Sequence, residues 1–116
     1  MHVTRLAGPT EAMNQASATR TVTIANRAGL HARSALAITN CVREFQARVE
    51  LVMNRQRVLA TDVLQMISLC AMQGQSIRLE AAGPDAEKVL EALVRLFAAK
   101  FHEEDAESEQ RRKSGG

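Results

Sequence analysis

Apolar and polar positions change period repeatedly along this chain. Val22 and Ile24 share one face of Thr21-Val22-Thr23-Ile24-Ala25, the two-residue repeat of a strand. Ala35, Ile38, Val42 and Phe45 then recur at helical spacing, which predicts a helix over residues 32–45. Val49, Leu51 and Met53 alternate with Arg48 and Glu50 in a second strand. Asn54-Arg55-Gln56 supplies a turn into a short third strand over residues 57–60. Asp62 is placed to cap a helix over residues 63–72, with Val63, Met66, Ile67 and Cys70 on one face. Gly74 would end that helix as the glycine just past its last turn. Ile77, Leu79 and Ala81 alternate with Ser76, Arg78 and Glu80 in a fourth strand. After Gly83-Pro84-Asp85, the stripe Val89, Leu93, Leu96 and Phe97 marks a last helix reaching Phe101, with Pro84 suited to its first turn. The order βαββαβα predicts an α+β open-faced sandwich, a four-stranded antiparallel sheet with three helices on one face.

The flanks carry no such period. Residues 1–19 are polar and rich in small side chains, with a Gly8-Pro9 breaker, and are expected to form a flexible extension. Residues 103–116 turn from acidic to basic and finish Ser-Gly-Gly, a solvated tail. One domain over residues 20–102 is left between them, large enough to fold around its own core. No apolar run reaches the ~18 residues of a membrane span, and the first twenty residues lack the continuous apolar stretch of a secretory signal. A cytoplasmic protein is the expectation.

Composition narrows the function classes. The aromatic residues are Phe45, Phe97 and Phe101, without Trp or Tyr, so base-stacking platforms for single-stranded nucleic acid are missing. A net charge of +2 spread along the chain gives no footprint for DNA. Cys41 and Cys70 are too far apart for a CxxC metal site and too few for a disulfide framework; both are expected to be buried as small apolar residues. Met53, Met66 and Met72 fit core filling. His2 falls in the extension, and His102 beside Glu103 and Glu104 lacks the further ligand a metal site needs.

Chemistry concentrates in Asn26-Arg27-Ala28-Gly29-Leu30-His31-Ala32-Arg33-Ser34-Ala35. A strand ends, a loop with Gly29 follows, and His31 stands where a helix begins. The first amides of a helix lack intrahelical acceptors, and the positive end of its dipole favours an anion. The backbone of Ala32, Arg33 and Ser34 would therefore face a phosphate, and the Arg33 guanidinium adds a permanent charge and a fork of donors. Imidazole titrates near neutrality, so a ring nitrogen has a lone pair for attack on phosphorus. The helix field disfavours imidazolium before transfer and stabilises the phosphoryl group after it. A histidine ahead of a helix can equally be a plain surface or capping residue.

Asn-x-x-Gly-Leu-His-Ala-Arg is similar to the active-site signature of HPr, the histidine phosphocarrier of the phosphoenolpyruvate-dependent phosphotransferase system. The predicted element order is also that family's, over about residues 20–101. The stretch from Ala82-Gly83-Pro84-Asp85 to Leu93-Val94-Arg95-Leu96-Phe97 looks most like the branch serving nitrogen-related regulation. The resemblance implies that His31 is phosphorylated on Nδ1 and that Arg33 pairs with the phosphoryl oxygens. Enzyme I would be the donor and an EIIA-type protein the acceptor, in sugar transport or a regulatory phosphorelay. It implies no metal, no organic cofactor, and a co-substrate rather than a stand-alone enzyme. A partner surface is implied around the histidine and the start of the middle helix, at Ala32, Arg33, Leu36, Val63, Leu64, Ile67 and Ser68.

Two positions depart from the pattern. The family normally has proline after the arginine; here it is Ser34, which restores an N–H and adds a hydroxyl that could compete for helix amides. A looser helix start is expected, at a cost of about 0.5 kcal/mol. The regulatory serine that some members carry at the middle helix aligns with Asp62, which cannot form a serine phosphoester. Asp62 serves either as a plain N-cap or as a fixed mimic of part of a phosphoserine's charge.

Three classes stay open on the sequence. The leading one is a monomeric phosphocarrier with neither nucleic-acid nor membrane partners. A phosphohydrolase using His31 would want a general acid or base, and no second titratable residue lies near His31 in sequence. An HPr-fold regulatory binding module with reduced or lost transfer is the alternative that Ser34 brings to mind.

Overall fold

The computed structural model describes residues 17–103, so the remainder of the two expected flanks, 1–16 and 104–116, lies outside the described residues. Strand β1 (Ser17–Thr23) leads to helix α1 (Ala32–Val42), then to strands β2 (Arg48–Met53) and β3 (Gln56–Leu59). Helix α2 (Val63–Ser68), strand β4 (Ser76–Ala82) and helix α3 (Ala86–Ala98) complete the βαββαβα order. The strands form one antiparallel sheet in the order β1-β4-β2-β3.

Strand alternation does what the sequence predicts. Val49, Leu51 and Met53 of β2 and Ile77, Leu79 and Ala81 of β4 are buried. They meet Ala35, Ile38 and Val42 of α1 and Val89, Leu90, Leu93 and Phe97 of α3 in one core. Each of the larger side chains among them contributes roughly 1.5–3 kcal/mol by leaving water. Helix α3 packs on β1 and β4, while α1 packs against both other helices.

Several boundaries differ from expectation for identifiable reasons. Strand β1 begins at Ser17, inside the stretch whose composition marks it as extension. Its order comes from backbone pairing with β4, from Ser17 opposite Ala82 to Thr23 opposite Ser76, which side-chain polarity does not report. Helix α2 ends at Ser68 with Leu69 as its C-cap, and Cys70 (φ 54°) takes the left-handed position expected of Gly74. Gly74 works instead in the turn entering β4, where its N–H donates to the Ile24 carbonyl at 2.8 Å. Shortening the helix exposes Cys70 and leaves Met72 57% exposed, so neither fills the core. Cys41 is half-buried, and burial pushes its thiol pKa up, with a further push from Glu44.

The sheet face away from the helices is polar. Glu50 of β2 sits directly opposite Glu80 of β4, a like-charge pairing that is unfavourable across strands. Arg57 of β3 donates to both carboxylates, and Arg48 and Arg78 add one contact each. The hydrogen bond from Arg57 is the largest influence holding Glu80 below the usual carboxylate range. A carboxylate with a lowered folded pKa stabilises the fold above its unfolded pKa and loses that contribution as pH falls through the folded value. Arg57→Met should therefore lower the denaturation midpoint at pH 7 and cease to matter at an acid pH below the lowered Glu80 value. Equal destabilisation at both pH values in urea titrations would refute that account.

Candidate functional site

Two loops and a helix start converge on His31. The chain leaves β1 and turns at Asn26–Gly29, closed by the Gly29 N–H donating to the Asn26 carbonyl at 3.2 Å. Gly29 adopts φ 71°, and a Cβ there would stand 2.5 Å from the carbonyl oxygen of Ala71, so this position requires glycine. That close approach lets the next residue, Leu30, donate its N–H to Ala71 at 2.9 Å, with its side chain buried. The loop before α1 is thus fastened to the segment after α2.

His31 is the N-cap of α1, with an extended backbone. Its Nδ1 accepts the backbone N–H of Arg33 at 3.3 Å. Its Nε2 lies 2.9 Å from Oε2 of Glu103, which accepts no bond unless the ring hydrogen is on Nε2. Both contacts demand one tautomer, with the hydrogen on Nε2 and the lone pair on Nδ1. The His31 side chain is 38% exposed, while Glu103 is only 5% exposed.

Glu103 belongs to the stretch that the sequence assigns to a solvated tail. The structure corrects that. Beyond α3 the backbone makes a left-handed turn through Lys100, Phe101 and His102, with φ 55°, 55° and 60°. Such a turn in non-glycine residues costs roughly 1–2 kcal/mol per residue. Burial of Phe101, its edge-to-face contact with Phe97 at 4.9 Å, and the His102 N–H donating to Ala99 hold it in place. The turn delivers Glu103 to the site, where Asn26 Nδ2 donates to Oε1 at 3.0 Å and Oε2 faces His31. Asn26 is fully buried and also donates to the Gly29 carbonyl at 2.8 Å. Neither Asn26 nor Glu103 was assigned a role from sequence. The Asn26-to-His31 spacing was visible, but nothing local links Glu103 to a histidine 72 positions away.

The other expected site residues are placed as follows. Ala32 and Arg33 are exposed on the first turn, and Ser34 is fully buried beneath it. Leu36 and Leu64 are exposed by 50% and 79%, large apolar groups on two helices that pack together. Ser68 is exposed, whereas Val63 and Ile67 are half-buried against the core and divide their surface between packing and solvent. Asp62 caps α2, accepting the Gln65 N–H at 3.1 Å. Among the described residues no cluster of potential ligands could hold a metal ion, and no helix is long and apolar enough to cross a membrane.

A half-exposed imidazole with its lone pair toward helix-first-turn amides, beside an arginine and on an open surface, fits a protein-to-protein phosphocarrier. Comparison with known proteins gives the same class. The family model for the PTS HPr component phosphorylation site matches residues 18–99. The chain is 38% identical over 85 residues to the phosphocarrier protein HPr of Treponema pallidum, covering 73% of this chain and 97% of that one. It is also 38% identical over 84 residues to the phosphocarrier protein NPr of Shewanella violacea, covering 72% and 92%. Among solved structures, HPr from Thermoanaerobacter tengcongensis superposes with a TM-score of 0.71 at 32% identity, covering 74% of this chain and 97% of that one. The chain belongs to the HPr family of phosphotransferase-system phosphocarriers.

Two expectations follow. Replacing Glu103→Gln removes the charge and leaves one acceptor oxygen for the two donors Asn26 and His31, and phosphoryl acceptance measured by rapid quench should slow by roughly tenfold or more, the scale of a charge-assisted hydrogen bond. An unchanged rate would remove Glu103 from the site. At the middle helix, Asp62→Ala should cost about 1 kcal/mol in thermal or urea unfolding, while Asp62→Ser stays within a few tenths of wild type. A large loss with serine would show that the carboxylate does more than cap.

Proposed function

We propose that His31 carries the phosphoryl group on Nδ1, receiving it from phosphorylated enzyme I and passing it to an EIIA-type acceptor, as a monomer in the cytoplasm. The observation that carries this reading is the pair of contacts on the ring, Glu103 at Nε2 and the Arg33 amide at Nδ1.

The Nδ1 lone pair attacks phosphorus as the donor's P–N bond breaks, and the bonding pair returns to the donor nitrogen. Little covalent work is asked of the protein; positioning and charge stabilisation are its tasks. Once Nδ1 is phosphorylated its lone pair is used, and the Arg33 N–H is released to a phosphoryl oxygen. The exposed Arg33 guanidinium can swing onto the same oxygens. Positive charge that develops on the ring is met at Nε2 by the buried carboxylate of Glu103. Donation to the acceptor reverses these steps, so the same contacts serve both transfers. The exposed Leu36 and Leu64 supply an apolar patch suited to docking successive partners.

The hydrolase alternative gains a titratable neighbour in Glu103 but not a usable base. Both oxygens of that carboxylate are engaged, one by Asn26 and one by the ring edge opposite the phosphorylated nitrogen. With Asp62 an N-cap, control by a serine kinase at that position is not part of this proposal.

Incubation with enzyme I and phosphoenolpyruvate should add one acid-labile phosphoryl group to the intact protein, read by mass spectrometry, and His31→Ala should abolish it. A phosphoryl increment that survives in the variant would overturn the assignment, and rapid release of inorganic phosphate from wild type would favour a hydrolase.

A further inference from the structure

We propose that Ser34 is a positioning residue for transfer at His31, doing with hydrogen bonds what a proline ring at the same place would do by restricting φ. The proposal rests on His31 being the phosphoacceptor.

Sequence reasoning expects Ser34 to loosen the start of α1. In the structure the hydroxyl is instead engaged at the N-cap. Ser34 is fully buried, and its Oγ accepts the backbone N–H of His31 at 2.9 Å. The same hydroxyl lies 3.1 Å from the Gly29 carbonyl and 3.2 Å from that of His31, so its single hydrogen always has an acceptor. Rather than competing for amides within the helix, it satisfies the N-cap amide and closes a capping box with the His31 side chain.

These bonds extend beyond the helix start. The Gly29 carbonyl that accepts from Ser34 also accepts from Asn26, and Asn26 donates to Glu103, whose other oxygen holds Nε2 of His31. His31 is therefore gripped at its backbone N–H and at the far edge of its ring by one connected set of hydrogen bonds. With both ends fixed, Nδ1 can only face the first turn of α1 and the solvent. The buried hydroxyl is out of reach of a phosphoryl group or a partner, so its action is through His31.

The alternative device is covalent. Proline at this position would give up the Ser34 N–H and with it one half of the capping box, but Nδ1 keeps the Arg33 N–H, and the ring fixes φ near the helical value. Alanine at 34 has neither device. It would leave the His31 N–H without its acceptor and the Gly29 carbonyl with one donor fewer.

Steady-state phosphorylation of the full chain by enzyme I and phosphoenolpyruvate tests this. Ser34→Ala should lower kcat about five- to tenfold, the scale of one or two lost hydrogen bonds, with KM unchanged because Leu36 and Leu64 are untouched. Ser34→Pro should return kcat to within about twofold of wild type. Wild-type kcat in Ser34→Ala, a raised KM at constant kcat, or a proline variant no better than the alanine one would overturn the proposal. Should the alanine variant fail to fold, near-wild-type kcat in Ser34→Pro supports it and a several-fold loss there overturns it. Failure of wild type itself to accept a phosphoryl group would count instead against His31 as carrier.

Discussion

A buried carboxylate facing a half-exposed imidazole joins the two ends of this domain. Glu103 and His31 are 72 positions apart, and bringing them together uses most of the architecture. Helix α3 must lie across β1 and β4, and its C-terminal turn must reverse hand to bring Glu103 back to the loop leaving β1. The burial of Phe101 and its contact with Phe97 offset the unfavourable backbone of that turn. A charge taken out of water needs partners, and Glu103 has two, Asn26 and His31. The site is therefore an extension of the core rather than a loop resting on it.

That arrangement divides the imidazole into two functional edges. The Nε2 edge is turned inward, hydrogen-bonded, and closed to partners. The Nδ1 edge faces outward toward amides that a helix leaves unsatisfied. One ring can then accept and release the same group with little rearrangement, which is what a carrier between two proteins requires. Large apolar side chains, Leu36 and Leu64, stand exposed on α1 and α2 near this edge of the fold's helix layer.

The fold was largely legible in the chain because its elements are local and strongly patterned. Alternation in β2 and β4 and the helical stripe of α3 report which face meets the core, and the structure keeps those faces. Differences arose where order comes from pairing or from a left-handed residue that is not glycine. Polar β1 is held by hydrogen bonds to β4, and Cys70 ends α2 where Gly74 looked the natural stop. Backbone pairing and tertiary packing outweigh local propensity at such points.

By itself, the sequence determined the element order, the core-facing positions, the histidine at a helix start and the arginine beside it. Each of these is written within a dozen residues, in periodicity or in a short motif. Only the tertiary structure decided that Glu103 leaves the apparent tail to hold Nε2, that Asn26 anchors it, and that the Ser34 hydroxyl accepts the N-cap amide. Those roles depend on burial and on partners distant in sequence or across a turn, and a polar residue has no pattern that announces what it will face. A histidine at a helix start was visible locally; its orientation was set by contacts that exist once the chain has closed on itself.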